Sequence, residues 1–210
     1  MYLWAAQIQS RRGMAQEAAA HLTKTRDIVS SVGGTPTWAW AGAAGVPLGT
    51  YFMSGRVDSI EQYMEVNQAV SQNADYHNQA KAGAEAFEGP TEMMLGQVVG
   101  MAGELGEEPS PLVMATTVAM VAGKQMDAVA WGVDLLDHLH ALTGVGGMLA
   151  VAAVGSFGEM SFIAGFDSGA EIDRFNTAML GDGGYHERVG RVGDLVISGS
   201  GRRFVMAKLP

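Results

Sequence analysis

Leu112-Val113-Met114-Ala115-Thr116-Thr117-Val118-Ala119-Met120-Val121 and Met148-Leu149-Ala150-Val151-Ala152-Ala153-Val154 are apolar on both parities of an extended chain, and Leu3 to Ile8 is nearly so. A strand with one wet face alternates apolar and polar residues. These strands do not alternate, so both faces of their sheets must be covered. Helices can cover one face, and the other needs a second sheet.

Walking outward from these strands gives the same element order twice. Met14, Ala18, Leu22, Thr25, Val29 and Val32 advance in steps of three and four, the stripe of a helix lying on a core. Strand Leu3 to Ser10 precedes it, and Gly33, Gly34 and Pro36 end it. Strands Thr37 to Ala41 and Thr50 to Arg56 follow as a hairpin. Asp58 with Glu61 resembles a capping box opening a second helix with Ile60, Tyr63, Met64, Asn67 and Val70 on its stripe, and Thr91 to Val99 is a closing strand. The order is βαββαβ. After the polar, glycine- and proline-rich stretch Gly100 to Pro111, it returns: strand Leu112 to Val121, helix Lys124 to Leu142, strands Met148 to Val154 and Glu159 to Phe166, helix Gly169 to Leu180 opened by Ser168 and Glu171, and strand Arg203 to Leu209. Tyr76-His77 matches Tyr185-His186, and Ile60-Glu61-Gln62-Tyr63 matches Ile172-Asp173-Arg174-Phe175. Matched dipeptides in a repeated element order mark a duplication. The expected organisation is a first ferredoxin-like repeat over 1–100, a linker over 101–111 and a second repeat over 112–210. The two antiparallel sheets are expected to pack face to face, giving an α+β fold. The linker holds them at high effective concentration.

Composition narrows the function classes. The 210 residues are 48% hydrophobic with a formal charge of -9, and the pI is near 4.9. Such a chain repels phosphate backbones and anionic surfaces, so neither nucleic acid nor membrane is an expected partner. No cysteine is present, which excludes thiolate chemistry and suits a reducing cytoplasm. Met1 runs straight into a strand pattern, so no secretory signal is read. No apolar window reaches the ~20 residues of a membrane-spanning helix.

The element order, helix pairs and sheet-to-sheet closure resemble the dimeric α+β barrel superfamily, which includes antibiotic-biosynthesis monooxygenase-like, EthD-like, NIPSNAP-like and chlorite-dismutase-like proteins. Asn73-Ala74-Asp75-Tyr76-His77 is similar to a step near the end of the second helix in NIPSNAP-like domains, and Gly184-Tyr185-His186 holds the matching place without the Asp. The resemblance implies a barrel that binds or turns over a small hydrophobic or aromatic molecule, as a cofactor-independent monooxygenase-like or cyclase-like enzyme. The alternatives are a non-catalytic structural or ligand-binding domain and a haem-binding protein. The barrel is expected as a monomer or a higher homo-oligomer.

Four residues are candidates for catalysis because they recur as a pair: Tyr76, His77, Tyr185 and His186. An imidazole titrates near neutrality and serves as acid, base or ligand. Trp38 and Trp40 project from one strand face and, with Gln7 and Gln97, are candidates to line a ligand pocket. Asp134 and His138 share a helix face four residues apart and are expected as a solvated ion pair, with no third ligand to make a metal site. His21, beside Leu22, is expected as a packing residue. Gly144 to Leu149 lacks a dinucleotide fingerprint, and no Gly-x-Ser-x-Gly elbow occurs.

Overall fold

The computed structural model describes residues 1–104 and 106–210. Its elements run β1 (Tyr2–Ser10), α1 (Ala15–Gly33), β2 (Thr37–Ala44), β3 (Thr50–Val57), α2 (Ile60–Ser71), α3 (Ala74–Gly83), β4 (Phe87–Ala102), β5 (Leu112–Ala119), α4 (Gln125–Thr143), β6 (Gly147–Val154), β7 (Glu159–Phe166), α5 (Gly169–Gly181), α6 (Gly183–Gly190) and β8 (Arg202–Lys208). The strands follow the hydrogen-bonded order β1-β3-β2-β8-β5-β7-β6-β4 in a closed antiparallel barrel. The chain gathers into two compact units, Met1–Gly96 with Ala207–Pro210, and Gln97–Met206.

Within the first unit, β3 lies between β1 and β2, with Trp4 opposite Gly55, Ala6 opposite Met53 and Met53 opposite Ala39. That parity faces the helices, where Trp4, Ala6, Val29, Val66, Val70 and Leu95 form one cluster and Ala18, Leu22, Ala39, Tyr51 and Ala86 another. The other parity carries Gln7, Phe52 and Trp40 in one cross-strand row and Ala5, Ser54 and Trp38 in the next. Trp38, Trp40 and Phe52 are buried there. The second unit repeats the arrangement, with Leu149, Met160, Ala128 and Leu136 together on the helix side and Val113, Ala115, Met148 and Ala150 buried on the opposite parity. Burial on both parities is what the uninterrupted apolar strands require.

Local chemistry sets the element ends. α1 and α4 each have 19 residues and close on left-handed glycines, Gly34 at φ 64° and Gly144 at φ 73°. Their N–H groups return to Ser30 and His140 carbonyls, a geometry glycine adopts at no steric cost. α2 and α5 open on Ser59 and Ser168, whose hydroxyls accept from Gln62 and Glu171 N–H.

Three expectations change. The first capping box is Ser59 with Gln62, whose side chain accepts from Asp58 N–H at 2.7 Å, one residue later than the Asp58 and Glu61 reading. Ser59 therefore corresponds to Ser168, where Glu171 accepts from Asp167 N–H at 2.7 Å, and the match of Ile60 with Ile172 is three residues out of register. The first repeat's expected second helix is two, while in the second repeat α5 matches the expected Gly169 to Leu180 and a further helix follows; Asn73 and Asp182 cap α3 and α6 by accepting from Tyr76 and Tyr185 N–H. Tyr76 and Tyr185 thus stand in the first turn of a new helix. Finally, β4 runs on to Ala102, taking residues 101 and 102 of the expected linker, of which residue 105 lies outside the described residues.

Candidate binding cavity of the first unit

Side-chain volume is not evenly spread beneath the helices. In the first unit a cavity of about 760 Å³ lies between α1, α2, α3 and the sheet. Trp4, Ala6 and Ile8 of β1, Met53 of β3, Leu22 and Val29 of α1, and Val66 and Val70 of α2 give it an apolar wall. His21, Thr25, Tyr63, Asn67, Tyr76 and Gln79 supply polar atoms. Gly55 lets the indole of Trp4 lie flat on β3, since a Cβ there would meet Trp4 Nε1 at 2.6 Å. That buried nitrogen has no hydrogen-bond partner among the described residues.

The polar group centres on His21. The amide nitrogen of Gln79 lies 2.8 Å from His21 Nδ1 and 3.2 Å from the His21 backbone oxygen. A carbonyl oxygen only accepts, so the Gln79 atom facing both is the NH2 group, and Nδ1 accepts from it. The ring proton is therefore on Nε2 in the neutral imidazole, and Nε2 has no protein partner among the described residues. Gly83 permits the contact: buried in α3, it faces the imidazole, and a Cβ would stand 3.2 Å from His21 Cγ. Thr25 donates to the same His21 carbonyl at 2.9 Å, and at the rim Arg11 Nε donates to Phe87 O at 3.1 Å.

In the second unit larger side chains stand at the corresponding positions. Counting from the shared helix starts and caps, Trp131 replaces His21, Phe162 replaces Met53, Phe175 replaces Val66, Met179 replaces Val70 and Arg188 replaces Gln79. Trp131 packs edge-on against Phe162 with centroids 5.8 Å apart, and Phe166 meets Phe175 at 5.4 Å. Trp131 Nε1 donates to Arg188 O at 2.9 Å, and the Arg188 guanidinium pairs with Asp134, donating through Nη2 at 3.2 Å, while its buried Nε makes no hydrogen bond among the described residues.

No family model matches the chain, and no curated protein matches it by sequence. Solved structures do match. A candidate monooxygenase from Fusobacterium nucleatum subsp. nucleatum aligns over 100% of this chain and 92% of its own, with TM-score 0.73 at 8% identity. An anthrone oxidase-like protein aligns over 100% and 91%, with TM-score 0.70 at 12% identity. A candidate monooxygenase from Lactobacillus acidophilus NCFM covers 100% and 94%, with TM-score 0.66 at 9% identity. The chain has the dimeric α+β barrel fold. At these identities the likeness is one of fold.

Of the candidate catalytic and pocket residues named from the sequence, this α+β barrel brings only Tyr76 to the cavity. His77 and His186 are exposed, and each holds a carbonyl at the end of the preceding helix through Nε2, Ser71 O at 2.6 Å and Leu180 O at 2.8 Å. Tyr185 packs against the cluster of Met114, Phe166, Phe175 and Met179. Trp38, Trp40 and Gln7 lie on the parity turned away from the helices. Trp40 Nε1 donates to Ser54 Oγ at 2.9 Å, and the Arg56 guanidinium lies 5.2 Å from the Trp38 ring centre. Gln97 is exposed on β4. The expected pairing of Asp134 with His138 is replaced: Asp134 pairs with Arg188, and His138 Nε2 meets Asp182 Oδ1 at 2.6 Å. That bond, followed by the Tyr185 N–H, holds the Asp182 carboxyl below its ordinary value of 3.8. Among the described residues no three His, Asp or Glu side chains gather as a metal site, and no helix is long and apolar enough to cross a membrane. His21 was named only as a residue beside the apolar stripe, and Gln79 was not named. Their signal lies in position-by-position comparison of the repeats, which needs the cap register fixed first.

Proposed function

We propose that the first unit binds a small hydrophobic or aromatic molecule in the cavity beside His21, and that the protein turns it over in the cytoplasm as a cofactor-independent monooxygenase-like or cyclase-like enzyme. The carrying observation is the cavity itself: an apolar wall with a few converging polar groups is the usual form of a small-molecule site, and the second unit has the larger Trp131, Phe162 and Phe175 at the corresponding positions. The names of three structural neighbours, two candidate monooxygenases and an anthrone oxidase-like protein, support the reaction class. Such chemistry needs no cofactor when the substrate supplies the electrons. For a dihydroxynaphthalene, a ring C–H and a phenol O–H become two carbonyls, while O2 leaves one oxygen in the product and one in water.

His21 is not presented as a haem ligand in this arrangement. An axial imidazole must offer an unprotonated nitrogen to iron, whereas Gln79 occupies His21 Nδ1 and leaves the proton on Nε2.

Thermal shift with fluorene, and oxygen uptake with 1,5-dihydroxynaphthalene, test the two halves of the proposal. Wild-type protein is expected to rise in Tm with fluorene and to consume oxygen with the diol. His21→Trp and Val66→Phe, each importing the bulk of the second unit, are expected to lose both responses while remaining folded. No shift in the wild type would remove the binding site, and a shift without protein-dependent oxygen uptake would leave a binding domain in place of a monooxygenase.

A further inference from the structure

We infer that Gln79 is a positioning residue that fixes the His21 proton on Nε2, so that the cavity selects planar aromatic molecules carrying a hydrogen-bond acceptor oxygen over the bare hydrocarbon. The inference rests on the cavity being the binding site and adds the chemistry that its ligand must present.

The argument starts from what each atom can do. Gln79 Nε2 donates twice into His21, to Nδ1 at 2.8 Å and to the backbone oxygen at 3.2 Å. The backbone oxygen fixes the orientation of the amide, the amide fixes Nδ1 as acceptor, and Nδ1 fixes Nε2 as donor. Packing holds the ring in place, with Gly83 against Cγ and Nδ1. His21 lines a cavity whose wall is built mainly from Trp4, Ala6, Met53, Leu22 and Val66, so a bound ligand strips water from the imidazole. An N–H desolvated without a partner costs more than the same N–H paired. A ketone, quinone or phenolate oxygen next to Nε2 supplies that partner, and a hydrocarbon of the same shape does not.

The second unit provides an internal comparison. At the two corresponding positions Trp131 Nε1 donates to the Arg188 backbone and Arg188 pairs with Asp134. The Trp131 indole donor is satisfied within the protein, and the His21 imidazole donor at the corresponding position is left open beside the cavity.

Equilibrium dialysis of the full chain with 9-fluorenone and with fluorene, which differ in one carbonyl, reads the selectivity. Wild type is expected to bind fluorenone about threefold to tenfold more tightly, the worth of one hydrogen bond. His21→Phe keeps a planar ring and should lose most of the preference, with fluorene affinity within twofold of wild type. Gln79→Leu frees the tautomer and Gln79→Glu places an acceptor against Nδ1. Gln79→Glu should shrink the preference more than Gln79→Leu, and 15N spectra of ring-labelled histidine at pH 8.5 should show the His21 proton on Nε2 in wild type and moved to Nδ1 in Gln79→Glu. Equal binding of both probes to wild type, an unchanged preference in His21→Phe, or an unaltered tautomer in Gln79→Glu overturns the inference while leaving the cavity as a site. If neither probe binds wild type, the cavity reading falls and this inference with it.

Discussion

Asp182 shows how one side chain serves two elements at once. Its carboxylate accepts from Tyr185 N–H at 2.6 Å to start α6 and meets His138 Nε2 at 2.6 Å from α4. The corresponding cap in the first unit is Asn73, and Ile28 holds the position that corresponds to His138, so Asp182→Asn keeps a good cap and deletes the charge. Because the folded-state pKa is lowered, the unfolded chain binds protons more readily, and the stabilisation is complete above about pH 4 and lost as pH falls through the folded-state value. The Tm gap between wild type and Asp182→Asn should therefore persist down to pH 5 and close below pH 4; a gap unaffected by acid would detach the carboxylate from the stability. Tyr51 acts similarly at the other repeat. Its hydroxyl donates to Ala15 O at 2.7 Å, anchoring the first turn of α1, and burial pushes its pKa above 10.0.

At the scale of elements, the Tyr-His pairs behave as helix hardware. His77 and His186 hold the last carbonyls of the preceding helix, while each tyrosine turns inward beside its neighbour, ring centres 6.0 Å and 5.6 Å apart. His77→Ala should lower the unfolding free energy by about 0.5 kcal/mol, the low end for one hydrogen bond because the group is exposed, and should leave fluorene binding within twofold. Urea denaturation and dialysis measure the two; lost binding at unchanged stability would return His77 to the site. Recurrence in sequence had two explanations, a shared reaction and a shared helix junction. The junction could not be read because the apolar stripe of α2 gives no warning that Gln72 ends the helix, and the cap that restarts it, Asn73 to Tyr76 N–H, is a contact three residues long.

For the whole molecule, the fourth strand of each repeat is the part that ties the chain together. β4 begins in the first unit and ends in the second, and the residues after Met206 belong to the first. Leu209 packs on the cluster of Ala18, Ala39 and Tyr51, its N–H donates to Ala39 O at 2.8 Å, and Arg26 donates to Pro210 O at 2.8 Å. Removing Ala207–Pro210 should cost about 1–2 kcal/mol, the worth of a partly buried leucine and its hydrogen bonds, visible as a lower Tm and weaker fluorene binding; an unchanged Tm would show that the tail only rests on the surface. The repeat, the α+β class and the need to cover both strand faces were legible in the sequence, because alternation and helical stripes are local patterns carried by consecutive residues. The register of the duplication, the crossing of β4 and β8 between units and the cavity were not. A cap is decided by one side chain among several equivalent choices, strand pairing joins residues far apart, and an empty space is a sum of volumes contributed by β1, α1, α2 and α3 together. The residues that line it, His21 and Gln79, sit 58 positions apart, and only folding brings the amide of one against the imidazole of the other.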